Sequence, residues 1–185
     1  MPNRAFDGRH LFRSGGAGVL ALAVAMALAP LPLAAQAART DSLYSALLES
    51  KPTGLPPGSA VAQVERGPMD VEDQNAGMLG NVQVMVRSAD PTAKFNYLVF
   101  PNSNAAATYL GRFGAALAQT GAAYHPVPYL PQAQCAATDK GAVCATGSDR
   151  VVVFSFGSRV EDGAAPLMRA ALDHLESVER SSGLR

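Results

Sequence analysis

The residues here whose types and spacing could do chemistry are two cysteines, two histidines beyond position 37 and one acidic cluster. Cys135 and Cys144 are the only cysteines in the chain. An even pair in an exported protein forms a disulfide. Asp139-Lys140 offers a two-residue turn between them. Counting outward from that turn, Thr138 faces Gly141 and Cys135 faces Cys144 at a non-hydrogen-bonded pair, where Cα atoms approach to about 4.5 Å. Such a spacing accepts a bridge. If Gly141 makes a bulge instead, the cysteines sit on a diagonal and the bridge belongs to a loop. Either arrangement contributes about 2–3 kcal/mol. The rival chemistry, a redox dithiol, needs a closer pair at a helix start, and no helix signal follows Cys135.

A metal site would need further ligands near the cysteines, and His125 is the one candidate close by. His174 borders an apolar helical stripe, where packing is the expected role. Asp70, Glu72 and Asp73 stand in D-V-E-D-Q-N-A-G, which lacks the closing glutamate of a calcium loop and reads as a solvated acidic loop. Nucleophile elbows of the G-x-S-x-G type fail at every serine, and no Gly-Lys-Ser/Thr exists to cradle a phosphate. No catalytic residue, metal or cofactor is therefore expected. Binding is better supported: Tyr124, His125 and Tyr129, with the prolines among them, make a stiff and partly apolar strip. Such a strip also suits the covering of a sheet edge.

The elements that must position these residues begin after an unusual first stretch. The chain has 185 residues, with 15 basic and 15 acidic side chains. Residues 1–37 carry Arg4, Arg9 and Arg13 ahead of an uncharged run over 17–33, closed by Ala35-Gln36-Ala37. A positive start, an apolar middle and a small-x-small site define a secretory signal peptide, with cleavage expected after Ala37. Pro30 and Pro32 leave the run too short for a membrane span. The remaining 148 residues hold 12 basic and 14 acidic side chains, a net charge of −2. That balance excludes a strongly basic nucleic-acid binder, and the length suits one core.

The expected organisation is a signal peptide over 1–37, a short helix and Pro/Gly connector over 38–58, and one α+β domain over 59–185. Thr40 or Asp41 caps the helix over 42–50. Residues 60–66 suit an edge strand. Val82, Val84 and Val86 alternate, and residues 95–100 resume as the partner strand of a hairpin. A helix over 103–119 follows an Asn102 or Ser103 cap, with Gly111 and Gly114 permitting close approach to a sheet. The run 151–156, Val-Val-Val-Phe-Ser-Phe, should be buried on both faces. A final helix carries Leu167, Ala170, Ala171, Leu175 and Val178 inward and the pairs Arg169–Asp173 and Glu176–Arg180 outward. The order β-β-β-α, link, β-β-β-α predicts a small antiparallel sheet of five or six strands with two amphipathic helices on one face, a β-α echo of ferredoxin-like type. Gln83, Arg87 and Asn96 should line a polar, uncovered face.

Together these point to a periplasmic or secreted bacterial module with a structural disulfide, binding a small ligand or an envelope protein and making no turnover. Two alternatives stand beside it: a periplasmic enzyme or redox or metal accessory built on His125, Cys135 and Cys144, and a structural protein that assembles through its sheet edges.

Overall fold

The computed structural model describes residues 33–184. The signal-peptide reading therefore falls outside the described residues, apart from its last few positions. Helix α1 (Leu33–Glu49) already includes these, so the helix starts earlier than the 42–50 expected. Thr40 is a buried helix residue rather than a cap, and its hydroxyl accepts a hydrogen bond from Arg150 at 3.1 Å. Among the described residues no helix is long and apolar enough to cross a membrane.

Seven strands form one antiparallel sheet: β1 (Ala60–Arg66), β2 (Gly80–Arg87), β3 (Lys94–Val99), β4 (Ala123–Tyr124), β5 (Gln134–Thr138), β6 (Gly141–Ser148) and β7 (Val151–Gly157). Their spatial order is β1-β2-β3-β7-β6-β5-β4. The sheet is thus two meanders joined where β3 lies antiparallel to β7, with Lys94 opposite Phe156 and Val99 opposite Val151. Four helices accompany the sheet: α1, the five-residue α2 (Val71–Asn75), α3 (Ser103–Gln119) and α4 (Ala165–Ser181). A single π-helical turn, Val160–Ala164, precedes α4. The stretch expected as a solvated acidic loop holds α2 because Asp70 and Asp73 form a reciprocal capping box, each carboxylate accepting from the other's backbone N–H.

The helices do not share one face. Val82, Val84, Phe95, Tyr97, Val99, Val151 and Val153 point to the side covered by α1 and α4. Leu98, Phe100, Val152 and Phe154 point to the other side, under α3. This corrects the one-face arrangement and with it the ferredoxin-like echo. The physical reason is in β7 itself, whose Val151–Phe156 run has no polar face to leave in water. Two glycines allow the close contacts this layering needs. A Cβ at Gly157 would stand 2.6 Å from Ala164 N, where the π turn crosses the end of β7. One at Gly114 would stand 2.7 Å from Gln134 Oε1, between α3 and β5.

The hairpin closes as the two-residue count requires. Thr138 is opposite Gly141, Cys135 is opposite Cys144, and the bridged Cα atoms are 4.0 Å apart. Both cysteines are buried on the α4 side.

Candidate functional site: the cleft beside α3

The two sheet faces differ in how far they are covered. On the far side, α3 packs chiefly over β6 and β7. It starts where Asn102 accepts from Ala105 N at 2.9 Å, and its stripe of Ala106, Tyr109, Phe113 and Leu117 meets Phe100, Val143, Val152 and Phe154. β2 and β3 form the floor beside it, with Gln83, Met85 and Lys94 partly exposed and Asn81, Asn96 and Leu98 buried. Residues 67–79, which carry α2, rise on the opposite side of that floor: Asp73 accepts a hydrogen bond from Tyr109 Oη at 3.0 Å. Between these walls runs a cleft. Its narrow part, about 290 Å³, has Asn81, Gln83 and Asn96 on the floor. Its wide part, about 510 Å³, reaches the tip of the β5–β6 hairpin at Lys140. Lys94, Phe113 and Phe156 line both parts and stand at the boundary between them.

The polar floor is organised. Asn96 Nδ2 donates to Asn81 Oδ1 at 2.9 Å, and Asn81 Nδ2 donates to Pro68 O at 2.8 Å, so the amide pair also fixes the flanking segment. Tyr109 is held neutral: burial, and then the hydrogen bond and charge of Asp73, push its pKa up to about 12. Lys94 Nζ sits 5.1 Å from the centre of the Phe156 ring, inside the range of a cation–π contact. Phe154 stacks beside Phe156 with centroids 6.3 Å apart and meets Phe113 edge-on at 4.7 Å. The cleft therefore pairs a preformed aromatic wall with an amide floor and an ammonium at its centre, the composition of many small-molecule sites.

The strip singled out from the sequence is dispersed. Tyr124 Oη donates to Gly114 O at 3.1 Å on the α3 side. His125 turns to the other face, where its Nδ1 lies 3.5 Å from Glu161 Oε1 at the surface. Tyr129 is half exposed, while its neighbours Val127 and Leu130 are buried in the α4-side core. None of the three lines the cleft beside α3. Val127 and Leu130 join the same buried cluster as the disulfide, while Pro126, Pro128 and Pro131 stay exposed. Among the described residues, no group of three or more His, Cys, Asp or Glu is placed to hold a metal ion.

His174 has a structural place of its own. It is buried, with Nδ1 2.7 Å from Tyr97 Oη and Nε2 3.0 Å from Ser50 Oγ, while Tyr97 Oη also donates to Ala171 O at 3.0 Å. Since the tyrosine has one hydroxyl hydrogen, this geometry puts the histidine hydrogen on Nδ1, donating to Tyr97, and leaves Nε2 to accept from Ser50. Burial lowers the imidazole pKa to about 4 and raises that of Tyr97 well above its ordinary value. The neutral chain ties the end of α1 to β3 and α4, and neither Ser50 nor His174 lines the cleft.

Of the cleft residues, sequence reasoning reached Gln83 and Asn96 through the outward alternation of the first hairpin, and missed Lys94, Lys140, Phe113 and Phe156. One signal was available. Lys94 opens a strand of otherwise large residues, and a lysine there must lie along whatever apolar surface adjoins it. Compared with protein-family models, curated proteins and solved structures, the chain matches none of them. The geometry alone carries the functional reading.

Proposed function

We propose that the chain is an exported, non-catalytic binding module of the cell envelope that takes a small molecule in the cleft beside α3. One observation carries this reading: α3 packs chiefly on β6 and β7, leaving Phe113 and Phe156 partly exposed beside the Asn81–Asn96 floor. Partly exposed rings beside buried amides give a ligand both apolar and polar surface to meet.

Export supports the same reading through α1. The described buried positions of α1, Thr40, Leu43 and Leu47, all follow the expected cleavage point after Ala37. The disulfide suits an oxidising compartment. The rival accessory role finds both sulfurs joined and buried, with the His125 imidazole turned to Glu161. Assembly through sheet edges meets a bulged β1, irregular between Val61 and Gln63, and a β4 of two residues. Both features discourage edge pairing.

Thermal-shift screening of the exported protein against envelope metabolites tests the binding role. Compounds that raise the melting temperature of the parent should fail to do so for Phe156→Ala. Hits that stabilise both proteins equally would remove the cleft from the account. Sequencing the N-terminus of the exported protein should return a start at Ala38.

A further inference from the structure

We propose that the ligand of this cleft is a small organic anion with an aromatic or other apolar body, its charge held by Lys94 and Lys140. This rests on the binding role proposed for the cleft and names the chemistry that the site selects. Three observations point there. Among the described residues, Lys94 and Lys140 form no ion pair, whereas Arg150, Arg159, Arg169 and Arg180 do. Both line the wide part of the cleft, and no acidic residue joins them in lining it. The ammonium of Lys94 rests on the Phe156 ring, a neighbour that attracts the cation without neutralising it.

Residues 38–185 carry a net charge of −2, so two lysines with no acidic residue lining the wide part beside them make this part of the cleft locally positive. They repel a metal ion or an ammonium ligand, and they are too few for a nucleic-acid backbone. A carboxylate, sulfonate or phosphate group accepts charge-assisted hydrogen bonds from either ammonium. Partial burial against Phe113 and Leu117 strengthens that attraction relative to open water. The rings of Phe113 and Phe156 then meet an aromatic body edge-on or offset-stacked. The carboxylate of Asp73, the one acidic residue lining the narrow part, already accepts from the Tyr109 hydroxyl and from Asp70 N–H in the helix cap. Gln83 and Asn96 there offer neutral polar contacts to the far end of the ligand.

Two fluorescent probes with the same aryl skeleton separate charge from shape: anilinonaphthalene sulfonate, an anion, and phenylnaphthylamine, its neutral counterpart. The exported protein should bind the sulfonate roughly tenfold more tightly than the amine, and added salt should narrow the gap. The Lys94→Met/Lys140→Met protein should lose that preference by weakening the sulfonate alone, and Lys94→Arg should keep most of it. Both lysines reach solvent, so unchanged far-ultraviolet dichroism and melting temperature will certify the fold. The chain has no Trp. Phe113→Trp therefore supplies a single donor whose emission should be quenched by energy transfer to bound sulfonate. Equal affinity for both probes, with transfer from position 113 intact, overturns the anion preference and leaves the binding site standing. Sulfonate that binds without transfer, or fails to bind at all, overturns both.

Discussion

The two faces of the sheet use similar strands to different ends. On the α4 side the largest side chains, Tyr97, Phe95, Leu47, Met168 and Leu175, are all but inaccessible, and the polar groups among them are matched: Ser155 Oγ donates to Ala164 O at 2.6 Å, and His174 is bonded at both nitrogens. On the α3 side, Tyr109, Phe113 and Phe156 stay partly exposed and an ammonium lies among them. The closed face holds the molecule together. The open face keeps surface in contact with solvent, which a ligand can displace. Stability and binding are thereby assigned to opposite sides of the same strands, so a substitution on one side should leave the other function in place.

The comparison is most exposed to a truncation made on each face. Leu175→Ala should cost about 3 kcal/mol, while Phe113→Ala, half-covered at the outset, should cost about 1 kcal/mol and act mainly on ligand binding. Denaturant titration of the two proteins measures both, and equal losses would erase the distinction. Next in size is the bridge on the closed face. Replacing Cys135 and Cys144 together by Ala should lower stability by about 2–3 kcal/mol, read as a shift of the unfolding midpoint, with probe affinity in the cleft unchanged. Acid comes third. The folded imidazole of His174 titrates at about 4 and an unfolded one at 6.5, so the unfolded chain takes the proton first. Stability is full above pH 6.5 and should fall by up to about 2 kcal/mol as the pH drops toward 4, once screening is allowed for. His174→Gln should flatten that slope in a pH series of unfolding curves. The smallest effect belongs to Lys94→Met, which should change stability by less than about 0.5 kcal/mol while weakening an anionic ligand.

Much of the closed face was legible in the sequence. The alternation of Val82, Val84 and Val86 set the direction of β2, and the count outward from Asp139-Lys140 set the register of the disulfide hairpin. The last helix buries the stripe its spacing describes and pairs Arg169 with Asp173 and Arg180 with Glu176 outside. What the helical stripes do not carry is the face on which each helix lands. That choice depends on how the chain crosses from one meander to the next. The Val151–Phe156 run held the missing clue, since burial on both sides demands a layer on each, but a stripe of Ala106 and Phe113 reads the same above or below a sheet. The cleft was harder still. Lys94, Phe113, Lys140 and Phe156 come from four elements or turns, and they meet only because β3 pairs with β7 and β7 with β6. The tyrosine strip drew notice for its stiffness, yet Tyr124 and His125 are consecutive in extended backbone and so must face opposite ways.

The seam between β3 and β7 also bears on how the chain assembles in time. Within the second meander, two residues separate β5 from β6 and two separate β6 from β7, and the first hairpin has a loop of six. These pairings are local and close quickly. The pairing of Val99 with Val151 spans some fifty residues and bears most of the loop-closure entropy of the sheet. By contact order, the docking of the two halves along this line of hydrogen bonds is the expected slow step of folding. Because Lys94 and Phe156 are paired across that line, the cleft comes into existence only when the docking is complete.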